Sequence, residues 1–390
     1  MNKIILAYQN KNKKAINIVL SIFIYLFING LFVLKYSSRI NFSYAPVITL
    51  IYLVLMYLVF FFIIKREIPL VSYKTVFYLI FLLYLFFTIW VNLNIDGNNL
   101  NVDRWSAMEV AIKALLNNEY PYSAVDHLNG RTSNLPSLIL IGIPFYFLGD
   151  VGFLQSFSFA MYALLLLRFI NNDKSKLIGL LLLILSPSFG WEIIVKSDLM
   201  SNFIIILFFI ILVQKLFRSN MTSVIVTSIV ASSLLLTRLV AIIPLVLVLF
   251  KRIFKLQIKY IAVFVVVGTI TMLILLILAF KNYNSIDNFI EFNPFTLQNR
   301  QLPFILSLIC IIIPFYYAFH VKNTMDLINY TIIFLSIPIF LSFIISTINN
   351  GVFNCVFNSY YDISYFNIIL PFLIFQLTLS YDKIYNIKQL

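Results

Sequence analysis

Few residues in this chain can do chemistry, and a third of the carboxylates sit in one interval. Of fifteen acidic residues, Asp96, Asp103, Glu109, Glu119 and Asp126 fall between positions 96 and 136, together with His127 and Arg131. Asp103 stands just before an amphipathic pattern from Trp105 to Asn118. Trp105, Met108, Ile112 and Leu115 share one face; Ser106, Glu109, Lys113 and Asn117 share the other. A carboxylate at that point can cap the helix by accepting a backbone N–H, or it can serve as a catalytic group. The roles are compatible, because a capping carboxylate is held in a fixed orientation. Asp96 is followed by Gly97, and a plain turn is its simpler reading.

These residues must be positioned by hydrocarbon. The chain has 390 residues, 62% hydrophobic and 11% charged, against about 25% charged in soluble domains. Apolar runs of nearly twenty residues, broken by short polar clusters, predict an all-α polytopic membrane protein organised as a single transmembrane domain over 1–390. Twelve spans are expected: 16–34, 44–64, 75–93, 152–170, 177–189, 199–217, 222–236, 239–250, 258–280, 303–319, 327–348 and 364–379. Leu135–Leu148, at ~21 Å of helix, is too short for a ~30 Å core and is read as a half-penetrating or strongly tilted segment. Residues 94–135 form the first large outer loop, with an interfacial helix over 105–118 and Trp105 at headgroup depth.

With the N-terminus inside, nineteen of the 28 Lys and Arg fall on the inner side. That asymmetry sets both termini in the cytoplasm, and a bacterial inner membrane is the expected location. It requires a hairpin bent at Arg238, since an arginine near the bilayer centre is costly. There, with apolar residues on both sides, Arg238 either finds an anion or snorkels to headgroups. The net charge of +13 is spread over alternate loops, which excludes a nucleic-acid partner. The first apolar run lacks a cleavage site and reads as an anchor. Cys310 and Cys355 are too few and too ill-placed for a disulfide framework or a metal site. His127 could ligate a metal, but the other histidine, His320, falls on the opposite face, so a histidine-based site is not expected.

The order of motifs resembles a known family. Asp103-Arg-Trp-Ser-Ala-Met opens the interfacial helix, Asn117-Asn-Glu-Tyr-Pro-Tyr122 follows it, and Leu135-Pro136 begins a short apolar segment ending Phe147-Leu-Gly149. Downstream comes Leu185-Ser-Pro-Ser-Phe-Gly-Trp-Glu-Ile-Ile-Val-Lys-Ser-Asp198, and later Thr237-Arg238-Leu239 with Pro244. The pattern, over roughly 94–251, is similar to the outer loops of GT-C-type glycosyltransferases, membrane enzymes that use polyprenyl-phosphate sugars. Protein mannosyltransferases and the aminoarabinose transferase belong to them. The chain departs from that pattern where Arg104 follows Asp103, where Leu135-Pro136 replaces a Pro-Pro pair, and in two additional spans before the loop.

The resemblance implies an inverting transfer of a sugar from a lipid phosphate to an acceptor hydroxyl on a glycan, lipid or protein. Such a reaction needs a carboxylate to take the hydroxyl's proton and cations on the departing phosphate. Asp103 is the expected base, with Asp96 behind it. Arg238 is the first candidate for the phosphate, Lys196 and Arg300 the second, and Arg131 suits phosphate or sugar. Asp198 could hold a metal, orient Lys196 or cap its helix. Tyr122, His127 and Asp362 are candidate substrate contacts, although Tyr120, Tyr122, Tyr360 and Tyr361 equally fit an aromatic belt. The sequence fixes no cofactor, and a divalent metal is possible. The rival functions are a transporter or flippase of lipid-linked saccharides, which would carry ionisable groups in mid-span, and a polysaccharide polymerase, which would carry a large late loop.

Overall fold

The computed structural model describes residues 2–65, 72–283, 285–298 and 302–388. Among them every regular element is helical. The N-terminal helices are α1 (Asn2–Ser38), α2 (Ala45–Lys65), α3 (Tyr73–Asn94), α4 (Arg104–Leu116), α5 (Pro136–Phe147) and α6 (Phe153–Phe169). The middle holds α7 (Asp173–Ile184), α8 (Pro187–Ile194), α9 (Leu199–Leu216), α10 (Met221–Leu235), α11 (Ile242–Phe254) and α12 (Ile258–Phe280). Then come α13 (Ile286–Glu291), α14 (Pro294–Gln298), α15 (Phe304–Ala318), α16 (Thr324–Asn350), α17 (Val352–Val356) and α18 (Leu370–Lys388).

Helix forms in each of the twelve segments expected to span. Seven helices are long and apolar enough to cross a membrane, or eight if α7 and α8, bent by 59°, form one span. The protein is a multi-pass membrane protein on that ground. Helices α5, α6, α10 and α15 are apolar but shorter. The α7–α8 bend falls where sequence dictates it: Pro187 disfavours helical backbone at Ser186. Its polar groups are met by Asn29 of α1, whose Oδ1 accepts from Ser186 Oγ at 2.6 Å and Ser188 N at 3.3 Å.

The chain divides into two compact units, each built from separated stretches. One comprises Met1–Tyr84, Ala163–Gly190 and Phe343–Leu390; the other comprises Leu85–Tyr162 and Trp191–Ser342. In the first, α18 packs on α1 and α7. Leu370, Phe372, Leu373, Ile374 and Phe375 are all fully buried, so the first turns of this helix are enclosed on every side within its unit. In the second, α4 packs on α5, α5 on α12, α12 along α10, and α11 on α9 and α15.

Helix α4 differs from its expected setting. Trp105, Met108 and Ile112 bury in a cluster with Leu138 and Ile139 of α5 and with Tyr120 and Tyr122. The Trp105 ring therefore lies inside protein, and Ser106, expected on the polar face, is buried too. The reason is Gly97. A Cβ there would stand 2.1 Å from the Trp105 ring, so only glycine lets the preceding turn close over the indole. We expect Gly97→Ala to destabilise the protein by about 1–3 kcal/mol or more, read as a fall in thermal unfolding midpoint in detergent. An unchanged midpoint would mean the turn moves aside without cost.

Candidate functional site

Two of the expected site residues occupy helix starts without acting as caps. Asp103 precedes α4 and Asp198 precedes α9, and neither side chain makes a capping hydrogen bond. Asparagines do this work elsewhere: Asn172 accepts from Ser175 N, and Asn220 from Ser223 N. The Asp198 carboxylate is committed to another partner.

Asp198 is 2% exposed and pairs with Arg238, 4% exposed, through Oδ2 and Nη2 at 2.5 Å. The chain breaks where the hairpin was expected, with Arg238 in extended backbone between α10 and α11. Its Nη2 also donates to Asn134 Oδ1 at 2.7 Å, and its Nη1 to Ser133 Oγ at 3.3 Å. Gln298 closes the ring, accepting from Leu239 N and donating to the Ser133 carbonyl. Arg238 has found its anion within the protein. It is buried rather than snorkelling, Asp198 makes no cap on α9, and Lys196 pairs with Asp150 instead.

Lys196 belongs to a second buried cluster. Helices α5 and α8 both end in a Schellman turn. In the first, Gly149 has φ +104°, and the amides of Gly149 and Asp150 bond the carbonyls of Tyr146 and Phe145. In the second, Lys196 takes the left-handed position at φ +54°, and the amides of Lys196 and Ser197 bond the carbonyls of Ile193 and Glu192. That backbone costs a side-chain-bearing residue about 1–2 kcal/mol. The ammonium offsets it by pairing with Asp150 and donating to the Asn92 carbonyl at 3.1 Å. Asp150 also accepts from Trp105 Nε1 at 2.9 Å. Lys196 is 3% exposed, so its contacts are internal and not those expected with phosphate. Asp150 and Asn92 were missed in the sequence; the signal for Asp150 was a carboxylate one residue after the glycine that ends a short apolar helix.

The remaining residues gather around the loop that returns from α4. Asp126 is buried, and its Oδ1 accepts from Leu128 N at 2.8 Å and Gly130 N at 2.9 Å. A Cβ on Gly130 would lie 2.7 Å from Asp126 Oδ2 and 3.4 Å from Asp103 Oδ2. Those two oxygens are therefore within about 6 Å of one another, both beside a glycine that admits no side chain. Next in the chain, Arg131 keeps 35% of its side chain exposed. Its guanidinium stacks 3.4 Å above the Phe292 ring and lies 3.9 Å from the exposed Glu291, a surface pair worth at most about 1 kcal/mol. Four residues of chain, at most ~14 Å when extended, separate Gly130 from Asn134 on Arg238.

Other expected contacts are internal. His127 Nε2 meets the Leu100 carbonyl at 2.7 Å and Nδ1 meets Ser106 Oγ at 2.5 Å, so both ring nitrogens staple the loop and neither faces a ligand. Tyr122 is 1% exposed and packs on Tyr120 and Phe280; it is core rather than a substrate contact. Asp96 makes the plain turn, accepting from Asn98 N at 3.0 Å. Asp362 belongs to the other unit, where it caps a short helical turn through Ser364 N. Arg300 lies outside the described residues. Among the described residues no group of three or more His, Cys, Asp or Glu side chains could hold a metal. Comparison with protein-family models, curated proteins and solved structures finds no match to this chain.

Two measurements check this geometry. Breaking a buried pair leaves an uncompensated charge, at a cost of about 3–5 kcal/mol. Asp198→Leu and Arg238→Met should each lower the unfolding midpoint sharply, and the double variant should lose clearly less than their sum. Additive losses would mean the two groups are not coupled. Separately, burial first and the nearby Asp150 second hold the Glu109 carboxyl above its ordinary range. The folded state then keeps a proton that the unfolded state releases, so stability falls as pH rises from the ordinary carboxylate value through the raised one. Glu109→Gln should remove that component of the slope, seen as the difference between the two proteins' midpoints across that window.

Proposed function

We propose that this chain is a membrane glycosyltransferase of GT-C type, moving a sugar from a polyprenyl-phosphate donor to an acceptor hydroxyl in cell-envelope or surface-polysaccharide assembly. In this reading the chain crosses a bacterial inner membrane twelve times and works on its outer face. The observation that carries it is a juxtaposition along a few residues. Asp103, a half-buried carboxylate withheld from capping, stands beside Gly130. Arg131, an accessible cation, is the next residue and rests on Phe292. Asn293, one further on, lines an apolar groove of about 490 Å³ with Leu276, Ile277, Phe280, Phe289 and Phe295, and Lys281 at its edge.

A base, a phosphate-binding cation and a trough for an isoprenoid chain are what the reaction requires. Asp103 takes the acceptor proton as the bond to the sugar forms. Arg131 meets the negative charge that grows on the departing phosphate. This role passes to Arg131 because Arg238 is buried and already paired with Asp198; Arg238 instead braces Ser133 and Asn134, which follow Arg131. Lys196 and Asp198 are likewise supports. The charged pairs lie at helix ends, not within spans, which favours an enzyme over a transporter.

Membranes carrying the chain should release polyprenyl phosphate from a polyprenyl-phosphate sugar when an acceptor is supplied. Asp103→Asn should lower that rate by about 10²-fold or more with expression and insertion intact. Arg131→Gln should lower it too, while Asp96→Asn should not. Full activity in the Asp103 variant would remove it from the mechanism, and no turnover with any donor of this class would remove the reading itself.

A further inference from the structure

Helix α9 carries Asp198 before its first residue and reaches a different polar environment at its last turn, ~27 Å away. There a cavity of about 230 Å³ opens between Gln214, the end of α11 and the residues after α15. Lys251, Arg252, Lys255 and Lys322 line it, and no carboxylate does. The nearby Asp326 is occupied by its own helix start, accepting from Lys322 N at 3.2 Å and Asn323 Nδ2 at 2.9 Å.

Basic residues beyond a span ordinarily extend into water to set orientation. Two of these are instead fixed by backbone. Lys251 Nζ donates to the carbonyls of Phe319 at 2.8 Å and Val321 at 3.1 Å. Arg252 donates through Nη2 to the Gln214 carbonyl and to its Oε1 at 2.5 Å. These acceptors are neutral, so the positive charge is held in place without being cancelled. Lys255 and Lys322 remain exposed at the mouth. Beside it an aromatic cluster of Phe250, Phe254, Phe315 and Phe319 leaves Phe254 62% and Phe319 47% exposed.

We infer that this cavity binds the headgroup of an anionic glycerophospholipid, with its phosphate among the four cations and its acyl chains along Phe254 and Phe319. The charge selects a phosphate. The exposed rings select a lipid over free phosphate, which gains nothing from them.

The test uses the full chain in a neutral detergent, with thermal unfolding as readout and three additives: phosphatidylglycerol, phosphatidylcholine and inorganic phosphate. Phosphatidylglycerol should raise the midpoint saturably, and the other two should leave it in place. Lys255→Glu with Lys322→Glu, both exposed, should keep the unliganded midpoint and weaken the phosphatidylglycerol response about tenfold or more. Equal protection by phosphatidylcholine, or an unaltered response in that variant, overturns the site. Protection by inorganic phosphate as strong as by the lipid overturns the lipid assignment.

Discussion

The segment that leads from Gly130 to α5 is anchored by a charge that has been taken out of water, the Arg238 guanidinium against Asp198. An ion pair so buried contributes little net stability, because desolvating both groups offsets most of their attraction. What it fixes is geometry. The pair joins the start of α9 to the break between α10 and α11, and through Asn134 and Ser133 it anchors the segment leading back to Arg131. A neutral residue at either position would leave the other charge stranded, so the two positions constrain one another.

The same logic governs Lys196 and Asp150, but here backbone strain is added. Two helices end in the same type of turn and present their terminal side chains to each other, one with glycine at the left-handed position and the other with lysine. Trp105 is fitted against this pair through its ring nitrogen, with Gly97 on another side. The loop between α3 and α5 is therefore a packed element of the unit. Of its charged groups, Asp103 lies beside Gly130 in space and Arg131 follows it in the chain.

Hydrophobic runs made the helices legible, and each of the twelve expected segments is helical. Their number as spans was less legible, since α6, α10 and α15 are apolar yet short. The break at Arg238 followed from the cost of an arginine at mid-membrane. Partner choice did not follow. From sequence alone, Asp198 could cap, chelate or orient Lys196, and nothing local indicates that its cation lies forty residues ahead. The burial of Trp105 and Tyr122 in one cluster was not legible, for a common reason. Amphipathic patterns and interfacial residue types look alike whether the apolar face meets lipid or another helix, and only the glycine at position 97 hinted at the closer packing.

In both buried pairs the carboxylate comes first in the chain: Asp150 precedes Lys196, and Asp198 precedes Arg238. Synthesis runs from the N-terminus, and early segments fold before late ones emerge. Each acid therefore leaves the ribosome forty or more residues ahead of its basic partner. The cation, which is expensive to hold in an apolar setting, is in these two pairs made after the counter-charge that offsets it.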